Sequence, residues 1–191
     1  IREHGMAAII NGISLHSKLF AYGSTFLVFS DYMRPSIRLG SLMNLNSSFI
    51  FTHDSIYLGE DGPTHQPVEH LMSLRLIPNI ELIRPANNIE IQHSYKYLFS
   101  ENNQTKVLVL TRQDLPYFDN ALSYEEFIQG AYEISSGSDL TLIATGSEVH
   151  LALKIKELLK DKSVQIISAP ILNKFLSDNI ENFKMNKLVF S

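Results

Sequence analysis

Apolar residues at the start of the chain fall at Met6, Ile9, Ile10 and Ile13, a spacing that predicts a helix over residues 1–19. Gly5, Ala7, Ala8, Gly12 and Ser14 lie between them. So many small residues lower helix propensity, so this helix needs close packing against its neighbours. Residues 25–29 are β-branched and aromatic enough for a strand or a tight turn into the next helix. Residues 32–44 predict that helix, with Ile37, Leu39 and Leu42 partly inward, Arg34, Arg38 and Ser41 outward, and Pro35 near its first turn. Residues 48–51 form a short apolar strand, and Pro67 opens a helix through Val68, Leu71, Met72 and Leu74. A strand at 80–84 is stopped by Pro85, and Asn87 or Asn88 caps a helix running to about Ser100. After a polar turn, residues 107–111 read as a strand buried on both faces.

Residues 114–124 have no clear period and are expected to be a linker. A second unit follows, with strands at 140–145 and 164–168, a helix from Glu148 to about Lys160, and a third strand starting at Leu188. Gly146-Ser147 before that helix reads as an ordinary N-cap. Strands alternating with helices predict an α/β protein built on a parallel sheet, divided at 1–120 and 121–191.

One connection breaks the pattern. Residues 52–67, Thr-His-Asp-Ser-Ile-Tyr-Leu-Gly-Glu-Asp-Gly-Pro-Thr-His-Gln-Pro, join a strand to a helix. Ordinary connectors of that kind need about 2–6 residues. This one is longer and rich in titratable groups, as in loops that meet a ligand at the carboxyl ends of strands. It can instead be a well-tied turn. His53, Asp61 and His65 are chemically plausible metal ligands, but their spacing matches no close-spaced metal motif. Elsewhere, Glu3 heads a nearly uncharged segment, where a helix dipole favours a carboxylate and partial burial would tune its pKa. Phe26, Phe29 and Tyr32 fall at i, i+3 and i+6, a stripe that by spacing alone reads as core. Arg112 follows a strand end, which suits either a surface ion pair or a guanidinium fork for a phosphate.

Composition narrows the class. The 191 residues are 45% hydrophobic and 19% charged, as in an ordinary globular protein. A net charge of −4 argues against nucleic acid as a partner. No apolar run approaches the ~20 residues of a membrane span, so no membrane partner is expected. The chain has no cysteine, which fits a cytoplasmic origin.

The loop closely resembles the signature of transketolase, the thiamine-diphosphate enzyme family that moves two-carbon ketol units between sugars. Ile-Arg-Glu-His-Gly-Met at the start is similar to the family segment that carries the catalytic glutamate. Thr111-Arg112-Gln113 with Leu115-Pro116 is similar to the segment whose arginine holds a sugar phosphate. The resemblance spans essentially the whole chain, strongest over 1–32, 52–76 and 107–116. It implies the parallel-sheet, three-layer pyrimidine-binding domain of the thiamine-diphosphate fold over 1–120, followed by the truncated start of a C-terminal domain. It also implies a role for each candidate. Glu3 would be catalytic and cofactor-binding, and Phe26, Phe29 and Tyr32 would surround the aminopyrimidine ring. His65 would be catalytic and substrate-binding, Asp61 would accept from a sugar hydroxyl, and His53 with Arg112 would hold the distal phosphate. The cofactors implied are thiamine diphosphate and Mg²⁺, and the partners are sugar phosphates and a second subunit in a homodimer of the pentose phosphate pathway.

The Gly-Asp-Gly motif for metal and diphosphate is absent, so the chain is expected to be a fragment lacking its N-terminal cofactor domain, and inactive alone. Tyr57 stands where the family usually has glycine, which can narrow the mouth of the site or alter the loop. Dihydroxyacetone synthase shares the loop and is the nearest alternative activity. The β-subunit of a 2-oxo-acid dehydrogenase shares the fold but resembles the histidine loop poorly. A non-catalytic interaction domain that kept the fold is the alternative outside enzymes.

Overall fold

A computed structural model describes residues 2–17, 19–118, 121–182 and 187–190. The expected linker residues Asp119 and Asn120 lie outside the described residues, as do Ile1 and Lys18 of the first predicted helix. The chain divides into two compact units, one of Ile1–Ile83 with Lys96–Asp114 and one of Arg84–Tyr95 with Leu115–Ser191.

The first unit is an α/β layer structure on a parallel sheet of order β1-β2-β4-β3, with β1 Tyr22–Phe26, β2 Ser48–Thr52, β3 Ile80–Ile83 and β4 Thr105–Val109. Every residue of β3 and β4 is buried, as expected where helices cover both faces. Its core joins Leu27, Met33, Ile37, Phe49, Phe51, Leu74 and Val107. Helices α1 (Glu3–His16), α2 (Ser30–Leu42) and α3 (His70–Arg75) flank the sheet; α4 spans Asn88–Leu98.

The small residues of α1 serve the close packing expected of them. Asn11 is buried, donates to the Ser36 carbonyl at 2.7 Å and accepts from Ser47 Oγ at 2.9 Å. A Cβ on Gly40 would come 2.6 Å from Asn11 Oδ1, so a side chain there would displace the hydrogen-bonded Asn11 that joins α1 to α2. That contact turns α2 away from its predicted orientation. Its buried face is Met33, Ser36, Ile37, Gly40 and Ser41, while Leu39 and Leu42 are 49% and 66% exposed. Pro35 sits in the second turn, near the start as expected, because α2 begins at Ser30.

Other elements are displaced from their predicted bounds. β1 lies three residues earlier than a strand at 25–29, and residues 27–29 instead form the tight turn into α2 that was the alternative. β4 starts at Thr105, because Thr105 and Lys106 are buried despite their polarity. α3 starts at His70 and not at Pro67. The predicted cap of α4 is Asn87, whose side chain accepts from the Glu90 backbone N–H at 2.9 Å.

The second unit holds a sheet of order β5-β7-β6-β8, with β5 Tyr132–Ser135, β6 Leu140–Ala144, β7 Val164–Ser168 and β8 Lys187–Phe190. Strands β7, β6 and β8 are parallel, whereas β5 is an antiparallel edge that the pattern did not predict. Short α5 (Tyr124–Phe127), α6 (Glu148–Leu158) and α7 (Leu172–Lys174) complete it. No helix among the described residues is long and apolar enough to cross a membrane.

Candidate active site

Because the first sheet is all parallel, the carboxyl ends of its strands share one edge. Phe26 closes β1, His53 follows β2, and Arg112 stands three residues past β4. In open α/β sheets this edge is where ligands bind. α2 leaves the same edge at Ser30, and its Ser36 Oγ lies 3.2 Å from His4 Nδ1. That contact sets Glu3, the first residue of α1, beside the upper turns of α2. Glu3 Oε2 is buried without a hydrogen-bond partner.

The aromatic residues stand in a row. The His53 ring stacks on Phe26 at 3.6 Å between centroids, Phe26 on Phe29 at 6.0 Å, and Phe29 on Tyr32 at 6.2 Å. His65 meets this row edge-on, 5.5 Å from Phe29 and 6.4 Å from Phe26. The stripe is therefore not core: Phe26 and Phe29 are half-buried and Tyr32 is 46% exposed. Nor is it one helical face, since the three residues belong to a strand, a 3₁₀ turn and a helix.

The loop after β2 is held under local constraint. His53 has φ +61°, a left-handed conformation that costs a non-glycine residue about 1 kcal/mol or more. The Phe26 stack and a 2.9 Å contact between His53 Nδ1 and Thr52 Oγ1 keep it there. Partial burial lowers the His53 pKa, and the Arg112 charge lowers it further, while Asp61 and Asp54 oppose the shift. His53, Asp61 and Arg112 thus share one electrostatic neighbourhood. His65 repeats the local arrangement, with Thr64 Oγ1 at 2.8 Å from its Nδ1. The Thr-His pair, present twice in one loop, is a signal that the sequence reading passed over. Asp54, which no pattern singles out, is buried beside His53. Gly59 and Gly62 take φ of +82° and +74°, which only glycine adopts freely. Tyr57 is different: it lies in a 3₁₀ turn without positive φ, and its side chain is 59% exposed. The backbone at that position does not require glycine.

The structure brings His53, His65, Asp61 and Arg112 together with the aromatic row, and sets Glu3 on the same side. It does not join His53, Asp61 and His65 as a metal cluster. Among the described residues, the group of side chains close enough to share an ion is Asp31, Glu69 and His70.

Comparison with known proteins matches residues 1–117 to the model of "Transketolase, pyrimidine binding domain". The chain belongs to the transketolase family. Residues 130–188 also match "Transketolase-like TK C-terminal domain". A transketolase from Mycobacterium leprae is 45% identical over 192 residues, covering 95% of this chain and 27% of that protein. One from Cereibacter sphaeroides is 48% identical over 180 residues, covering 92% of this chain and 27% of that protein. Among solved structures, the transketolase from Leishmania mexicana superposes with a TM-score of 0.91 at 34% identity, over 99% of this chain and 29% of that one. The chain therefore spans a little over a quarter of the length of the relatives it matches. Membership of this family implies thiamine diphosphate and a divalent metal.

Proposed function

We propose that this chain supplies the ring-binding and substrate-facing half of a transketolase site, in an enzyme that moves a two-carbon unit from a ketose phosphate to an aldose phosphate. The observation that carries the reading is Glu3 Oε2, a buried carboxylate oxygen with no partner on a rim that also presents an aromatic row. A buried acceptor left without a donor is costly unless a ligand completes it. A flat heteroaromatic ring with a nitrogen able to share a proton fits both features, and the aminopyrimidine of thiamine diphosphate has them.

When bound, the cofactor supplies the carbanion chemistry by which a carbon–carbon bond is broken and remade. Glu3 holds a proton at the ring nitrogen. Phe26, Phe29 and Tyr32 orient the ring and exclude water from its faces. His65, its Nδ1 engaged by Thr64, offers Nε2 to a reacting hydroxyl, and Asp61 accepts from another hydroxyl of the sugar. Arg112 and His53 bind the distal phosphate, where the guanidinium supplies a paired donor set. Residues 1–120 act as the pyrimidine-binding domain and 121–191 as the opening of the C-terminal domain. Mg²⁺ and the diphosphate need oxygen ligands that no Gly-Asp-Gly motif here provides.

The complete enzyme is a cytoplasmic homodimer of the pentose phosphate pathway. Exposed Ile9, Leu15 and Leu42, at 65%, 67% and 66%, support burial against a second subunit. The test is a coupled assay of the full-length protein with xylulose 5-phosphate as donor. Turnover with ribose 5-phosphate as acceptor is expected. Turnover with formaldehyde alone would give the activity to a dihydroxyacetone synthase, and none with either would reject the proposal.

A further inference from the structure

The proposed function does not use the Asp31, Glu69 and His70 cluster. Asp31 is in the first turn of α2, between Phe29 and Tyr32; Glu69 and His70 open α3, which follows the histidine loop. Their ligand-capable atoms lie within 4.8 Å of one another. The side chains of Asp31 and Glu69 are 54% and 71% exposed, whereas that of His70 is 5% exposed.

The imidazole is held in an asymmetric setting. Nε2 lies 3.2 Å from Asp31 Oδ2, a hydrogen-bond distance, and a carboxylate can only accept. The proton of a neutral ring therefore belongs on Nε2. That leaves a bare lone pair on Nδ1, which is buried and has no hydrogen-bond partner. The nearest carboxylate oxygen, Glu69 Oε2, stands 3.9 Å away, too far for a hydrogen bond. A carboxylate orienting the far nitrogen of a ligating histidine is a recurring support of metal centres. Arg34, one turn beyond Asp31, donates to the Ser73 carbonyl at 2.9 Å and ties the same two helices together.

We propose that His70 Nδ1 and Glu69, with Asp31 orienting the imidazole through Nε2, form a binding site for a zinc-class divalent cation that clamps the first turn of α2 to the start of α3. A mixed nitrogen and carboxylate set suits Zn²⁺, whereas Mg²⁺ takes oxygen and retains its water. Bond lengths near 2.0–2.2 Å require Glu69 to close on the ion, which an exposed side chain does by changing rotamer, and water completes the coordination. The clamp joins the helix carrying Tyr32 to the downstream end of the loop carrying His53, Asp61 and His65. It would steady the proposed site without entering it.

The full chain, with excess Mg²⁺ present, is titrated with Zn²⁺ by calorimetry and with Co²⁺ by visible absorption, while ¹⁵N NMR follows the His70 ring. The wild type is expected to bind one zinc in competition with Co²⁺, with the shift change at His70 Nδ1. Glu69→Gln and Asp31→Asn, both at exposed side chains, should weaken binding by about 10-fold or more. His70→Gln should abolish it, but the two carboxylate variants decide the matter if that variant does not fold. Equal zinc binding by the wild type and both variants would mean an adventitious ion only, and would overturn the proposal. So would a doubly protonated His70 at neutral pH whose Nδ1 shift ignores zinc.

Discussion

Glu3 and Glu90, each with a buried carboxylate oxygen, show how differently the two units use the same group. Glu90 is completely buried in the second unit, and its oxygens are engaged. Oε1 accepts from Tyr132 Oη at 2.8 Å and Ser168 Oγ at 2.7 Å, while Oε2 accepts from the Ala86 N–H at 2.7 Å. Burial raises its pKa, and these donors counter the shift. Glu3 in the first unit is less buried, yet one oxygen is both hidden and unpartnered. The same contrast extends to their surroundings. Around Glu90, Arg84 is paired with Glu148 and His150 Nε2 lies 2.9 Å from the Ala86 carbonyl. On the first unit's rim, a histidine sits at positive φ and an aromatic row stands half open. Satisfied polar burial holds a fold together, whereas unsatisfied burial beside strain marks a place kept for a ligand.

The sharpest way to break this contrast is to alter each carboxylate in turn. In the complete enzyme, Glu3→Gln is expected to reduce turnover by about 100-fold or more while leaving the melting temperature unchanged, because an amide keeps the shape but cannot share the proton. Steady-state kinetics and thermal unfolding on the same sample check this. Glu90→Ala should do the reverse. It removes the acceptor that the Tyr132 and Ser168 hydroxyls and the Ala86 N–H share, and should destabilise the second unit by about 3 kcal/mol. Urea unfolding measures the loss; an unchanged midpoint would remove Glu90 from its structural role.

A third buried charge tests whether burial within the first unit is always functional. Lys106 is fully buried in β4, and desolvation lowers its pKa from 10.5 to about 8, with Glu81 opposing. Its ammonium donates to the Ser100 carbonyl at 2.6 Å and lies 5.4 Å from the Tyr97 ring centroid. Between these two pKa values the unfolded chain binds more protons than the folded one, so this residue makes stability rise with pH from about 8 to 10.5. Denaturant titrations across that range should show the rise in the wild type and lose it in Lys106→Met. The smallest effect expected is at His53. Arg112→Gln should move its pKa upward toward 6.5, because a positive neighbour is removed. An NMR titration that found no movement would separate the two residues.

Much of the rim was legible in the sequence because its chemistry is concentrated in one loop and its strands are simple apolar runs. Ser48–Thr52 and Val164–Ser168 needed no tertiary information to be recognised as strands. Residues whose tertiary setting overrides their pattern were not legible. Leu39 and Leu42 point outward because Asn11 and Gly40 fix the face of α2, a constraint written in another helix. Lys106 breaks the apolar run of β4 in sequence but is accommodated by Ser100. Strand β5 is an edge with an irregular register and a mixed sequence, so no period announced it. For α5 the signal was present, since Ser123 and Glu126 form a reciprocal capping box within what reads as linker. The partnerless Glu3 oxygen and the left-handed His53 are set by tertiary packing that no local pattern encodes.

The central claim is that Glu3 and the aromatic row receive the cofactor ring. Its most direct test is the exchange rate of the C2 proton of thiamine diphosphate bound to the full-length protein, followed by NMR after a jump into D₂O. The account predicts fast exchange in the wild type and a slowing of about 100-fold or more in Glu3→Gln at equal cofactor occupancy. Equal exchange rates in the two proteins would contradict it.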